Sequence, residues 1–414
     1  MRYVPSSDAP PGKVASATSS SYYLVIIGTC FIMLLTSMGF GRYAYPMLLP
    51  SMQDGLGVTY GSMGVLGTVN LIGYLIFSLI SGILATRYGA KVIIIGSTLL
   101  VGLAMVALGF VSAYWVAFVA MAFAGIGTAG VFTPGSGLCR AWVPPKRIGI
   151  TIGFMATGVG VGILIAAGII PVILTSQGQD GWRHAWVYLG VATTLLTILG
   201  IVTLRERPAV SAPNKSGVPG TTLAWGQVFR NRTIAGLSIT YFLFGFYQIY
   251  ATFFVAYLRG QLQLPTSVAG NIWLSWAIVG VMFMAFWGWL SDRIGRKETM
   301  VPCVLVLAVS VIMPIYWHDM PFLYLSAMLY GATFAGPMTI ILASAGEAVA
   351  PGFAAAAMGM VTAAFGVGQA ISPAIAGFLT DLSGSFYPGF VLSAAGMLLS
   401  AVTMVLLPLK KHAA

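Results

Sequence analysis

Twelve apolar runs constrain this chain more than any other feature. They lie at roughly 22–49, 61–85, 92–113, 115–141, 149–174 and 184–204, then at 234–257, 268–290, 299–317, 321–345, 354–379 and 387–408. About 20 helical residues cross the hydrocarbon core of a bilayer, so each run is long enough to span one. No water completes backbone hydrogen bonds inside lipid, which leaves helices or closed barrels. Continuous apolar runs, rather than residues alternating in twos, select helices. Charged residues make up 7% of the chain, against about 25% in soluble proteins. The expected fold class is an all-α membrane protein with twelve transmembrane helices in two six-helix, pseudo-symmetric halves.

Residues 1–21 carry Ser and Pro and no apolar core, so they read as a disordered cytoplasmic tail rather than a signal peptide. Residues 22–204 form the expected N-terminal half, 205–232 a cytoplasmic linker, 233–409 the C-terminal half and 410–414 a second tail. In the linker, Trp225, Val228 and Phe229 beside Arg230 and Arg232 suggest a short interfacial helix. The net charge is +11, but its distribution argues against nucleic acid. Of 20 Lys and Arg, 17 fall in segments assigned inside, Arg183 and Arg259 fall outside, and Arg42 falls within the membrane. That bias places both termini in the cytoplasm and the chain in the inner membrane, with some attraction to lipid headgroups. Cys30, Cys139 and Cys303 are scattered in or beside apolar segments, where packing is the expected role. No metal, cofactor or catalytic nucleophile–base set is expected.

The second half repeats the first at a constant offset of 206 residues. Gly39 and Phe40 become Gly245 and Phe246, and Gly82 becomes Gly288. Arg87, Gly89 and Lys91 become Arg293, Gly295 and Lys297. Gly153, Gly160 and Gly162 become Gly359, Gly366 and Gly368. Charged positions match along with glycines, so two parallel halves are expected to enclose a site near the midplane.

Gly288-Trp-Leu-Ser-Asp292-Arg293-Ile-Gly295-Arg296-Lys297 resembles the loop motif of the major facilitator superfamily, and Gly82 to Lys91 is its first-half echo. Within that superfamily the chain looks most like bacterial organic-anion and monocarboxylate porters of the oxalate/formate branch. That likeness rests on Gly-Phe-Gly-Arg-Tyr-Ala-Tyr-Pro at 39–46 and on Gly181-Trp182-Arg183-His184-Ala185-Trp186. The resemblance implies a secondary transporter working by alternating access, coupled to a proton or exchanging a counter-anion. It also implies a latch in which, while the transporter faces outward, Asp292 accepts hydrogen bonds near the start of span five, at Ile148-Gly149. Arg87, Arg293 and Arg296 belong to the same loops, and Glu347 is expected to pair with Arg293 or Arg296. Thr86 stands where the family usually has Asp, which weakens the first-half latch.

Arg42 is the one charge at membrane depth. An arginine there costs about 2.5–3.5 kcal/mol on insertion scales and usually faces a bundle interior or a watery cavity. Its planar fork of donors suits a carboxylate, sulfonate or phosphate; the bland alternative is a snorkelling side chain that anchors the helix. No Asp, Glu or His falls within an apolar core, so a lone positive charge predicts a small anionic substrate. Tyr241, Phe244 and Gln248 share one face of span seven with Tyr247 beside them, and would wall the site opposite Arg42. Tyr45, Asn70, Tyr74, Asn271, Ser275 and Gln369 complete the candidate substrate-binding set, although helix–helix hydrogen bonds explain many such residues. His184 is the candidate proton site, against an interfacial reading. A monomer is expected. An exporter of lipophilic compounds is the rival within transport, and a non-transporting membrane sensor the rival outside it.

Overall fold

The computed structural model of the protein describes residues 19–143, 147–206, 231–283, 286–350 and 353–408. The interfacial helix expected at Trp225–Phe229 lies outside them. Twelve helices among the described residues are long and apolar enough to cross a membrane. They are α1 (Tyr22–Leu56), α2 (Tyr60–Tyr88), α3 (Ala90–Gly109), α4 (Tyr114–Trp142), α5 (Ile150–Ser176) and α6 (Gly178–Thr203), followed by α7 (Arg232–Gln261), α8 (Thr266–Phe283), α9 (Arg296–Tyr316), α10 (Met320–Glu347), α11 (Ala356–Ser383) and α12 (Tyr387–Leu406). A short helix, Phe286–Ile294, follows α8.

The repeat is visible in the helix starts. Helices α2 to α5 begin at 60, 90, 114 and 150, and α8 to α11 begin at 266, 296, 320 and 356, a constant difference of 206. Each half uses the same tight turn before its third span, where Gly89 (φ 92°) and Gly295 (φ 111°) adopt a conformation that side chains resist. Lys91 and Lys297 then cap the far ends of α6 and α12, donating to the carbonyls of Ile201 (2.8 Å) and Val405 (2.9 Å). Exposed Leu79, Ile83, Val119, Leu195, Val309 and Leu398 form part of the apolar outer surface, as a lipid-facing bundle requires.

The halves meet through α2 with α11, α5 with α8, and the segment Tyr45–Leu56 of α1 with Gln248–Ala256 of α7. Exchanging the halves maps this set of contacts onto itself, which is the two-fold relation the repeat predicts. The contacts gather at the side away from the chain termini, called here the distal face. There Asp381 at the end of α11 accepts from the backbone N–H groups of Tyr60 (2.9 Å) and Gly61 (2.8 Å), the first residues of α2. A carboxylate at a helix N-terminus is favoured by the unpaired N–H groups and the dipole. Arg259 of α7 donates to Ser51 of α1 at 2.9 Å, and Tyr60 packs edge-on against Phe386 at 4.8 Å. Next to them a Cβ on Gly64 would collide with the Pro373 carbonyl, so α2 and α11 approach through their backbones.

At the opposite, terminal face the side-chain ion pairs among the described residues lie within one half. Arg296 holds Asp292 and Glu347, each at 2.6 Å. In this distally closed state Asp292 is bound by Arg296 of its own half; the latch to the start of α5 is the expectation for an outward-facing state. Of the two partners foreseen for Glu347, Arg296 is the one used; Arg293 lies over the Trp289 ring at 4.4 Å. Arg87 sits 5.4 Å from the Tyr88 ring, and Thr86 donates back to Ile83. The three cysteines are buried and free, as packing residues should be.

Candidate functional site

Both helices that carry the site lose regular α-geometry at the same repeat position. In α1 a π-helical stretch, Leu35–Phe40, runs into a turn at Gly41–Tyr43, with Tyr43 N–H reaching back to the Met38 carbonyl at 3.3 Å. In α7 the break is a 3₁₀ turn at Gly245–Tyr247. Each break packs on a glycine of a partner span. A Cβ on Gly39 would lie 2.6 Å from the Gly162 Cα, and one on Gly245 would lie 2.6 Å from the Gln369 nitrogen. Such breaks are frequent at functional sites because they re-aim side chains.

The break in α1 aims Arg42 between its neighbours. Its guanidinium carbon lies 4.9 Å from the Tyr74 ring and 5.5 Å from the Tyr43 ring, a cation–π arrangement that partly offsets the lost hydration. The phenols of Tyr43, Tyr247 and Tyr74 are within electrostatic reach, so the guanidinium borders both halves. Among the described residues the Arg42 side chain has no ion pair or hydrogen bond, and its Nε is buried without a partner. An unpaired cation at this depth is costly unless something else supplies the acceptors.

Facing it, α7 offers a column of rings. Tyr241, Phe244 and Tyr247 all stack against Phe365 of α11, at 4.2, 6.0 and 6.0 Å between centroids. Sequence reading put Tyr247 beside the face rather than on it. The 3₁₀ turn brings residues three apart into register, and Tyr247 joins the column. Gln369 donates to the Tyr247 hydroxyl (2.8 Å) and to Gln248 Oε1 (3.0 Å), and Gln248 donates to Thr252 (3.2 Å). Tyr330 fixes the same turn by donating to the Tyr247 carbonyl at 2.9 Å.

Three expected site residues bond elsewhere, and a fourth faces outward. Asn70 donates to the Met121 carbonyl at 3.1 Å and ties α2 to α4. Tyr45 donates to the Met63 carbonyl at 2.5 Å, and Ser275 turns back on its own helix to Ile272. Asn271 is exposed and forms no side-chain hydrogen bond among the described residues. In lipid a neighbouring backbone carbonyl satisfies a polar side chain as well as a ligand does, so sequence position alone does not separate the two uses. His184 is half-buried at the distal mouth, its Nδ1 3.1 Å from the Asp180 carbonyl. Tyr43, Trp276, Tyr330 and Phe365 were not assigned to the site from sequence. Their one signal is position: Tyr330 and Phe365 precede the repeat glycines Gly331 and Gly366. A separate cavity of about 330 Å³, lined by Gly82, Thr86, Thr133, Gly137 and Glu206, contains none of the residues around Arg42.

A family profile described as "Uncharacterised MFS-type transporter YbfB" matches residues 34–405. The chain belongs to this family of MFS-type transporters. The transporter is 23% identical over 383 residues to the hexuronate transporter of Bacillus subtilis, covering 85% of this chain and 87% of that one. It is 23% identical over 381 residues to the probable sulfoacetate transporter SauU of Cupriavidus necator, covering 84% and 85%. The cis,cis-muconate transport protein of Acinetobacter baylyi is 22% identical over 349 residues, covering 82% and 83%. Among solved structures, the nucleoside transporter NupG superposes with a TM-score of 0.76 at 16% identity, covering 94% of this chain and all of that one. A bacterial homolog of the lysosomal transporter Spinster, inward-facing and unoccupied, gives 0.73 at 16% identity, covering 94% and 95%. These two likenesses bear on the fold, which is that of a multi-pass, twelve-helix transporter.

Proposed function

We propose that this transporter moves a small organic anion, carboxylate-like, by alternating access, with Arg42 as its anion hook. The observation that carries this reading is the guanidinium between the halves, which has neither a partner nor a paired carboxylate among the described residues. Relatives named for hexuronate, sulfoacetate and muconate transport agree with an anionic cargo. Tyr74 and Tyr43 flank the bound group, and Tyr247, Gln248 and Gln369 stand in the other half, so one substrate touches both halves. A ligand shifts a two-state equilibrium only through differential contacts, and bridging supplies them. Transport here needs no covalent chemistry.

The excess of Lys and Arg on the terminal face supports a reading in which that face and both termini are cytoplasmic and the membrane is the inner one. The described state, closed distally, then faces inward. A proton travelling with the substrate or an exchanged counter-anion completes the cycle; with no carboxylate paired to Arg42 among the described residues, the charge balance is left to the cargo. Arg42→Gln in proteoliposomes is expected to abolish organic-anion uptake while the purified variant still unfolds cooperatively. Uptake at the wild-type rate would refute the hook.

A further inference from the structure

The tryptophans turned into the bundle differ in whether their indole N–H finds an acceptor. Trp142 donates to the Arg205 carbonyl at 3.1 Å, Trp186 to the Met52 sulfur at 3.1 Å, and Trp287 to the Ala332 carbonyl. Trp273 and Trp276 of α8 find no acceptor among the described residues: both indole nitrogens are buried without a partner, in residues 1% and 2% exposed. Trp182 shares that condition for a local reason, since its indole nitrogen packs in the space left by the missing side chain of Gly55, and its ring carries Arg183 at 4.2 Å. No such account covers two adjacent orphan donors on one span. A buried polar group without a partner calls for an explanation, because its desolvation is uncompensated.

Their position supplies one. The two rings lie 4.3 Å apart, and Trp276 meets the Tyr43 ring at 6.3 Å across the boundary between the halves. Tyr43 in turn carries the Arg42 guanidinium. Trp276 also abuts Tyr330 at 6.2 Å, the residue that fixes the Tyr247 turn. Trp276 is therefore one aromatic ring removed from the unpaired donor of α1, and Trp273 one ring further.

We propose that Trp273 and Trp276 are specificity residues of the C-terminal half, whose indole N–H groups donate to a second oxygen of the substrate while Arg42 holds its anionic group. The proposal rests on the anion-hook reading and narrows it. The cargo is an oxyanion with a further acceptor, as in a dicarboxylate, a hydroxy acid or a keto acid, rather than a plain carboxylate with an apolar tail. An indole N–H only donates and does not titrate in the working range, so it selects for an acceptor without demanding a second full charge. A hydrogen bond formed at a donor buried this deeply is stronger than one in water. A site built to bond a substrate oxygen rejects the analogue that lacks it.

The test uses two matched pairs of probes on the purified full-length transporter, succinate against butyrate and 3-hydroxybenzoate against benzoate, read by ligand-induced thermal stabilisation. In the wild type the member with the second oxygen is expected to bind at least about tenfold more tightly in one pair, the size of one well-made hydrogen bond. Trp276→Phe and Trp273→Phe should bring that ratio toward one while leaving the plain acid's affinity in place. Replacing Trp276 by benzothienylalanine, the same ring with sulfur for N–H, gives the same readout without changing shape and stands in if a phenylalanine variant fails to fold. A ratio unchanged in all variants, or no discrimination by the wild type, overturns the proposal and leaves the hook intact. Binding that survives Arg42→Gln overturns the hook instead, and no binding of any probe by the wild type overturns both.

Discussion

The two faces of the transporter spend their polar groups differently. At the distal face Asp381 and Arg259 bond across the boundary, α11 to α2 and α7 to α1. At the terminal face Arg296, Asp292, Glu347, Lys91 and Lys297 bond within their own halves. Charge is scarce in this chain, so where each group finds its partner decides which side is shut. A carboxylate that caps a helix of the other half holds the halves together, whereas one neutralised by a neighbour four residues on leaves them free to part. In a second state, Asp292 has to exchange Arg296 for a partner across the boundary, and Asp381 has to release the start of α2.

Four substitutions break or sharpen this contrast. Gly64→Val has the largest expected effect, because a side chain there meets the Pro373 carbonyl and α2 no longer closes on α11. Transport is expected to fall to background, with spin-label distances across the distal face lengthened. Asp381→Asn comes next. Hydrogen bonds to a charged group contribute about 1.5–3 kcal/mol, so its loss should move the closed population by tenfold or more in the same distance measurement. Arg259→Ala removes one contact at the rim, and a shift of less than about threefold is expected, in keeping with the few tenths of a kcal/mol of most surface polar contacts. Arg296→Gln should act in the opposite sense and most weakly. It frees Asp292 and Glu347 to bond elsewhere, lowers thermal stability by no more than about 1 kcal/mol since both carboxylates are partly exposed, and favours a closed terminal face. A distal face that stays shut in Asp381→Asn would show that packing, not the carboxylate, closes it.

Much of the scaffold is legible in the chain. Apolar length fixes the spans, and the 206-residue repeat fixes their pairing, because glycines and basic residues recur wherever backbones touch or loops turn. Arg42 is legible too, since a charge in an apolar run has few explanations. What surrounds it is less so. Asn70 and Gln369 are both amides in apolar spans, yet one ties α2 to α4 while the other reaches Tyr247 and Gln248. The difference lies in which carbonyl or hydroxyl each rotamer meets, and spacing does not encode that. Trp273 and Trp276 read as ordinary packing until their nitrogens are seen to lack acceptors. Asp381 reads as a loop-end acid until the first turn of α2 is found beneath it.

The irregular stretch in α1 separates two allegiances within one helix. Its first part, Ser19–Leu34, packs on α4, α5 and α6 of its own half, whereas Tyr45–Leu56 adds to its own-half contacts the packing on α7 of the other. Between them the backbone is a joint, with π-type bonds and a turn in place of a stiff rod. Arg42 is mounted on the joint itself. Whatever the guanidinium grips therefore pulls on the member that has to flex when the halves change their tilt, and loading and movement share one short length of chain.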